Sequence, residues 1–368
     1  MSPSDHLLLT GATGHIGFAT LLHALRYTTL PIRLAVRSIA NAKSTILPRL
    51  LALGLPDVHT RISFTHVPDI SAANAYDAAL KGITHVIHIA SPIPSAHLSS
   101  SPAEAEEIFI KPAVQGTLGL LESCKQNSST VKRVVLLSSV VALMPAVHYA
   151  CIQPVPQGII YTSRSRTSAP SAPFPSLQAA YCASKVRALN EAEAWVAREK
   201  PAWDVLSVHP GWVIGRDELK TDVAGVMTGT NTQVLDLVCK GERREARRAG
   251  CAVHVGDVAR VCVGALDLEE ERERKGRRVE VERGTVRGFV AGRKVVWQEA
   301  VELVGREFGE EVREGLLSTE GAQETMELPV DGRETEEVFG FEFADWDEMV
   351  RSVVGHYVEI SKKERQGN

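Results

Sequence analysis

Glycines at 11, 14 and 17 stand between the apolar run Leu7-Leu8-Leu9 and a helical pattern that begins at His15. A strand that runs through such a loop into a helix has few options. Gly11 permits the tight turn, Gly14 lets backbone approach a pyrophosphate, and Gly17 lets the helix pack close to the sheet. The helix N-terminus then offers free N–H groups and the positive end of its dipole to an anion. The loop therefore reads as a dinucleotide cradle, with Gly11, Thr13, Gly14, His15, Ile16 and Gly17 as its contacts.

Strand and helix patterns alternate after the loop. Strands are expected at 6–10, 32–36, 61–67, 85–89, 131–137 and 203–208, and helices at 15–27, 40–53, 72–80, 104–126 and 178–199. Alternation with helical crossovers implies an α/β doubly wound parallel sheet, the Rossmann fold. Residues 150–176 are rich in Ser and Pro and interrupt the pattern. They read as an insertion, a mobile flap over the substrate. The division expected is a dinucleotide-binding domain over 1–210 and a smaller C-terminal substrate-side lobe over 211–368, partly interleaved with the sheet. Helical spacing returns at 295–308 and 346–360.

Bulk properties remove several function classes. The chain has 368 residues and a net charge of −4, so no chain-wide attraction to nucleic acid exists. Two basic clusters, Arg243-Arg244 with Arg247-Arg248 and Arg272 through Arg278, sit among glutamates and read as a solvated loop or helix face. Six cysteines show no C-x-x-C spacing, so no metal site is expected. No run approaches the roughly 18 apolar residues of a membrane span. A cytoplasmic protein that binds neither membrane nor nucleic acid is expected, with its oligomeric state open.

The second strand should end on the residue that reads the adenosine ribose. An acidic residue there accepts from a 2′-hydroxyl. This chain has Arg37, followed by Ser38 and Lys43. A guanidinium can hold a 2′-phosphate through paired charged hydrogen bonds, so the expected cofactor is NADP. Asp69 and Ile70 follow the third strand, where a polar group can meet adenine, and Ala90 and Ser91 are small where the cofactor must pass. His88, inside a strand, reads as a buried core histidine.

Three residues can handle a carbon–oxygen bond. Tyr181 and Lys185 are four apart on an expected helix and share a face. An ammonium nearby should lower the phenol's pKa and make it a usable acid and base. Lys185 can also bond the nicotinamide ribose. Ser139, just past an apolar strand, can donate to the same substrate oxygen. Ser139, Tyr181 and Lys185 are the expected catalytic group. Met144, Phe174, Trp212 and Met227 are pocket or core candidates.

These residues resemble the extended short-chain dehydrogenase/reductase family. Within it they are most similar to the dihydroflavonol and cinnamoyl-CoA reductase branch and to fungal ketone and aldehyde reductases of that type. The likeness is carried by Ala35-Val36-Arg37-Ser38, His88 to Pro92, Tyr181 to Lys185, His209 to Val213, His254 to Ala259, Val338 to Phe341, and Trp346 to Val350. It implies that Pro210, Gly211 and Val213 support the nicotinamide and that Asp257 caps a helix. Three departures stand out. Gln115 replaces an asparagine common in the family, the interval from Ser139 to Tyr181 is long, and Ser139-Val140-Val141 stands where sugar dehydratases carry Thr-Asp-Glu. The resulting expectation is an NADP-dependent reductase of a small apolar or aromatic ketone or aldehyde, and the resemblance suggests a place in secondary metabolism. The alternatives are a nucleotide-sugar epimerase or dehydratase, and a catalytically inactive NADP-sensing regulator.

Overall fold

The computed structural model describes residues 2, 4–55, 58–91, 104–127, 130–268 and 281–367. Pro92 and the cluster Arg272 to Arg278 lie outside them. Seven strands form one parallel sheet in the order β3-β2-β1-β4-β5-β6-β9. They are β1 (Leu7–Thr10), β2 (Ile32–Val36), β3 (Ile62–His66), β4 (His85–His88), β5 (Arg133–Leu137), β6 (Asp204–Pro210) and β9 (Val286–Ala291). The strand order reverses at β1 and β4, the point where an open α/β sheet leaves a crevice at its carboxyl ends.

Helices cover both faces, which explains the continuous apolar strands. Leu7, Leu8 and Leu9 are all fully buried, Leu7 and Leu9 in one core and Leu8 in the other. One face carries α1 (His15–Tyr27), α2 (Ile39–Ala52) and the helix Val255–Gly264, with Phe18, Leu21 and Ile46 in the shared core. The other carries helices Lys111–Asn127 and Leu177–Glu199, where Leu120, Leu121, Trp195 and Val196 are buried.

A second sheet is built on the long strand β8 (Arg243–His254). β7 (Trp212–Ile214) and β11 (Ala322–Glu327) pair with it in parallel, and β10 (Arg293–Lys294) antiparallel. Helices Thr232–Cys239, Gln298–Glu307 and Trp346–Gly367 pack behind it around Trp297, Val301 and Val353. The chain weaves between the two bodies. Helix Val255–Gly264 returns to the first core, and β9 joins the first sheet beside β6.

Two expected elements differ. Residues 72–80 form a series of turns, not a helix, because Asn74 takes a left-handed conformation at φ 58°. Arg243 to Arg248 lie on β8, neither loop nor helix, because β11 and helix Thr232–Cys239 supply partners for their charges. The 150–176 segment has no helix. Tyr161 bridges to Val330, Arg166 pairs with Glu193, and Phe174 is buried beside Phe109 and Ile110.

Candidate active site

The glycine loop lies at the carboxyl end of β1. Thr10 anchors it, because its Oγ1 accepts from the backbone N–H groups of Ile89 and Ala90 at 3.0 Å each. That bond draws the end of β4 against the loop. A Cβ on Gly11 would meet Ala90 N at 2.9 Å, and Gly11 also needs φ +77°. A Cβ on Gly17 would lie 2.0 Å from Gly11 O. Gly17 thus makes room for the loop's own carbonyl, a tighter constraint than helix-to-sheet packing. Gly14 caps α1 without a side-chain bond, and Thr13 and Gly14 are exposed. The exposed loop and the first turn of α1, which lacks a side-chain cap, offer backbone N–H groups to an anion. Ile16 packs its side chain on the core.

His15 opens α1, so its backbone N–H stays at the loop while its side chain turns away. Its ring lies against Gly215 to Asp217 at the start of the second body, and its Nε2 is buried without a partner. Burial holds its pKa below the usual value, partly offset by Asp217.

The expected ribose and adenine readers follow the ends of β2 and β3. Arg37 is exposed at the end of β2, and among the described residues no carboxylate pairs with it. Ser38 caps α2 through Asn41 N at 3.3 Å, and Lys43 lies 5.7 Å from the Phe64 ring centroid. Asp69 accepts from Ser71 N and Oγ at 2.8 and 2.6 Å, which lowers its pKa. Ile70 packs against Gly116, where a Cβ would approach its Cδ1 to 3.2 Å.

The Ser, Tyr and Lys group converges where β4 and β5 end. Lys185 Nζ donates to Ser91 Oγ at 3.0 Å, so it reaches the strand end that also carries Ala90. Ser139 Oγ donates to Pro210 O at 3.4 Å and accepts from Val141 N at 3.3 Å. Ser139 also lies close enough to the Tyr181 phenol to lower its pKa, the effect of a hydroxyl that can donate toward the phenolate. A carbonyl oxygen placed between them can accept from both, with the Ser139 hydroxyl turning from Pro210 O.

Electrostatics revise one expectation. Tyr181 was expected to have a lowered pKa. Burial instead pushes the phenol well above its ordinary range, against the lowering effect of Ser139. Burial also pulls Lys185 down to about 8. The phenol is therefore held protonated, beside a lysine whose ammonium burial disfavours.

Gly211 lies against β8, where a Cβ would meet Cys251 O at 2.7 Å, while Val213 is buried in the first core. His88 Nδ1 bonds Thr10 Oγ1 at 2.9 Å, and burial lowers its pKa to about 3. His254, not Asp257, caps its helix by accepting from Gly256 N at 3.1 Å; Asp257 accepts from Ala344 N at 2.8 Å. Gln115 is exposed. Met144 and Trp212 pack in the cluster beside Tyr181, whereas Phe174 and Met227 belong to other clusters. Thr10, Tyr149 and Arg248 complete the surroundings and were not singled out by motif. Only the position of Thr10 before Gly11 gave a signal.

A parallel Rossmann sheet, a glycine cradle after its first strand and a Ser, Tyr and Lys group at its carboxyl edge together define an extended short-chain dehydrogenase/reductase. A model of the NAD dependent epimerase/dehydratase family matches residues 7–281. The chain belongs to that family. It is 33% identical to ketoreductase CTB6 of Cercospora nicotianae, across 97% of this chain and 96% of that protein. It is 30% identical to the NAD-dependent epimerase/dehydratase FUM13 of Gibberella moniliformis, across 97% and 96%. The fold is shared with yeast methylglyoxal/isovaleraldehyde reductase Gre2 complexed with NADPH, with a TM-score of 0.74, 20% identity, and 97% and 99% coverage.

Proposed function

We propose that this oxidoreductase uses NADP(H) to reduce the ketone or aldehyde carbonyl of a small apolar or aromatic metabolite to an alcohol. The observation that carries the reading is the meeting of Ser139, Tyr181 and Lys185 beside Ser91, next to the cradle formed by Gly11, Gly14 and Gly17. The similarity to ketoreductases of fungi supports it, and with it a role in secondary metabolism. NADPH, when bound, supplies the hydride and leaves as NADP+.

The chain's own residues do the rest. The α1 N-terminus would hold the pyrophosphate, Arg37 the 2′-phosphate and Lys185 the ribose hydroxyls. Ser139 and Tyr181 donate to the carbonyl oxygen, and Tyr181 transfers its proton as negative charge develops there. The ammonium of Lys185 then steadies the phenolate. Ser139-Val140-Val141 provides no carboxylate to run an elimination, which disfavours sugar dehydration.

The test is NADPH oxidation with aryl ketones and aldehydes, run beside a UDP-sugar, for wild type and Tyr181→Phe. Wild type should reduce carbonyls and leave the sugar unchanged. Loss of the general acid should lower turnover by about 10²–10⁴ with cofactor binding intact. Wild-type turnover in Tyr181→Phe would refute the mechanism.

A further inference from the structure

Four arginines open β8, and three have ordinary partners. Arg243 Nη1 donates to Glu320 O at 3.0 Å. Arg244 pairs with Glu242 at 3.0 Å and Asp236 at 3.3 Å, and Arg247 with Glu324 at 2.8 Å. Arg248 differs. Among the described residues no carboxylate pairs with it, and its protein acceptors are the amide oxygens of Gln233 and Gln323. The carboxylate whose field it feels, Glu242, is already engaged by Arg244.

Arg248 also lies toward the chemistry. Its guanidinium sits 5.5 Å from the Trp212 ring centroid. Trp212 stacks on Tyr149 at 5.8 Å and 24°. Tyr149 in turn lies within electrostatic reach of Tyr181 on one side and Arg248 on the other. Trp212 also follows Pro210 by two residues, and Pro210 O holds Ser139. A short run of contacts thus links the guanidinium to the proton-donating pair.

The donors in this corner outnumber the acceptors. Arginine has five N–H groups. Nε faces Gln323 and one N–H of Nη1 faces Gln233, which leaves Nη2 and the second N–H of Nη1. Those three form the planar end of the fork, the geometry that takes both oxygens of a carboxylate. Trp212 Nε1 is a further buried donor with no acceptor. A half-buried cation with surplus donors and no counter-charge is stabilised by an anionic ligand.

We propose that Arg248 is the specificity residue of the substrate site and receives a carboxylate carried by the carbonyl substrate. This rests on the reductase reading for the identity of the reacting group, but not for the binding event. Gln233 and Gln323 fix the guanidinium without neutralising it. The stacked Trp212 and Tyr149 form the apolar wall between the carboxylate and the reacting carbonyl.

The probe pair is 4-acetylbenzoate and its methyl ester. Their binding to the NADP-loaded full chain is followed by titration calorimetry. Wild type should bind the acid more tightly than the ester, and Arg248→Gln should lower acid affinity about 10- to 100-fold and bring the ratio near one. Arg248→Lys keeps the charge without the fork and should restore part of the preference. Thermal melting checks that each variant is folded. Equal binding of acid and ester by wild type, or an equal loss of both in a folded Arg248→Gln, overturns the proposal. NADPH oxidation is measured separately on the same pair. Absence of turnover with the acid preference intact would refute the reductase reading and leave the carboxylate site standing.

Discussion

Replacing Lys185 with Met should abolish turnover and stabilise the unliganded protein. The ammonium is buried, with 8% of the residue exposed, and has one hydrogen bond, to Ser91 at 3.0 Å. Among the described residues no carboxylate pairs with it. Burial lowers its pKa from 10.5 to about 8. At 1.36 kcal/mol for each tenfold change in proton affinity, holding that charge at neutral pH costs on the order of 3 kcal/mol. Methionine fills similar space without a charge. Its net gain is smaller because the Ser91 bond is lost, so about 1–3 kcal/mol is expected. At about 2.1 cal/mol/K of unfolding entropy per residue, that is a rise of roughly 1–4 °C in melting temperature.

The sign of the pH dependence follows from the same shift. The folded pKa is depressed, so between about 8 and 10.5 the unfolded chain binds more protons than the folded one. Wild-type stability from this group therefore rises with pH across that window and is lost as pH falls through about 8. The variant has no such group. Its advantage should be full at pH 7 and should vanish near 10.5. Differential scanning calorimetry of both proteins from pH 7 to pH 10.5 measures this. A variant less stable than wild type at pH 7, or a gap that does not close with pH, would refute the reasoning. Reductase activity should also fall in wild type above about pH 8, as the ammonium that steadies the phenolate is lost.

Two further outcomes can be checked directly. Arg37→Ala should lower NADPH affinity about 10- to 150-fold while leaving NADH affinity near wild type, and equal wild-type dissociation constants for the two would remove the assignment of NADP. Gly17→Ala should destabilise the fold by at least about 1–3 kcal/mol, because its Cβ would enter Gly11 O at 2.0 Å, whereas Gly14→Ala, whose nearest neighbour is 3.5 Å away, should melt like wild type. Chemical denaturation of the two alanine variants should therefore diverge.

Where local pattern and tertiary environment agreed, the fold was legible. Ile32-Arg33-Leu34-Ala35-Val36 is a strand with the expected limits, because a parallel strand covered on both faces needs a nearly continuous apolar run. His15–Tyr27 likewise matches, since the glycine loop sets its start. Residues 72–80 failed because apolar spacing carries no sign that Asn74 turns left-handed. Residues 243–248 failed because charge looks like solvent in a linear sequence. On β8, the charges of Arg244 and Arg247 are matched from a neighbouring helix and across strands, and tertiary pairing outweighs propensity.

The site divides along the same line. Spacing places Tyr181 above Lys185 on one helix face, and the glycine loop marks the cradle. Spacing cannot report depth, and depth decides the protonation states. Tyr181 and Lys185 sit deep enough for burial to set the direction of both, so one rises and the other falls. Partners separate the arginines of β8. Arg243, Arg244, Arg247 and Arg248 are equivalent as letters. The parallel pairing of β7 with β8 sets Trp212 opposite Ala252 and leaves Arg248 over the indole face, with its fork unmatched. The residues that perform chemistry common to a fold recur at readable spacings along the chain. The residue that selects the substrate is set by which strand pairs with which, and it becomes visible once the second sheet is built.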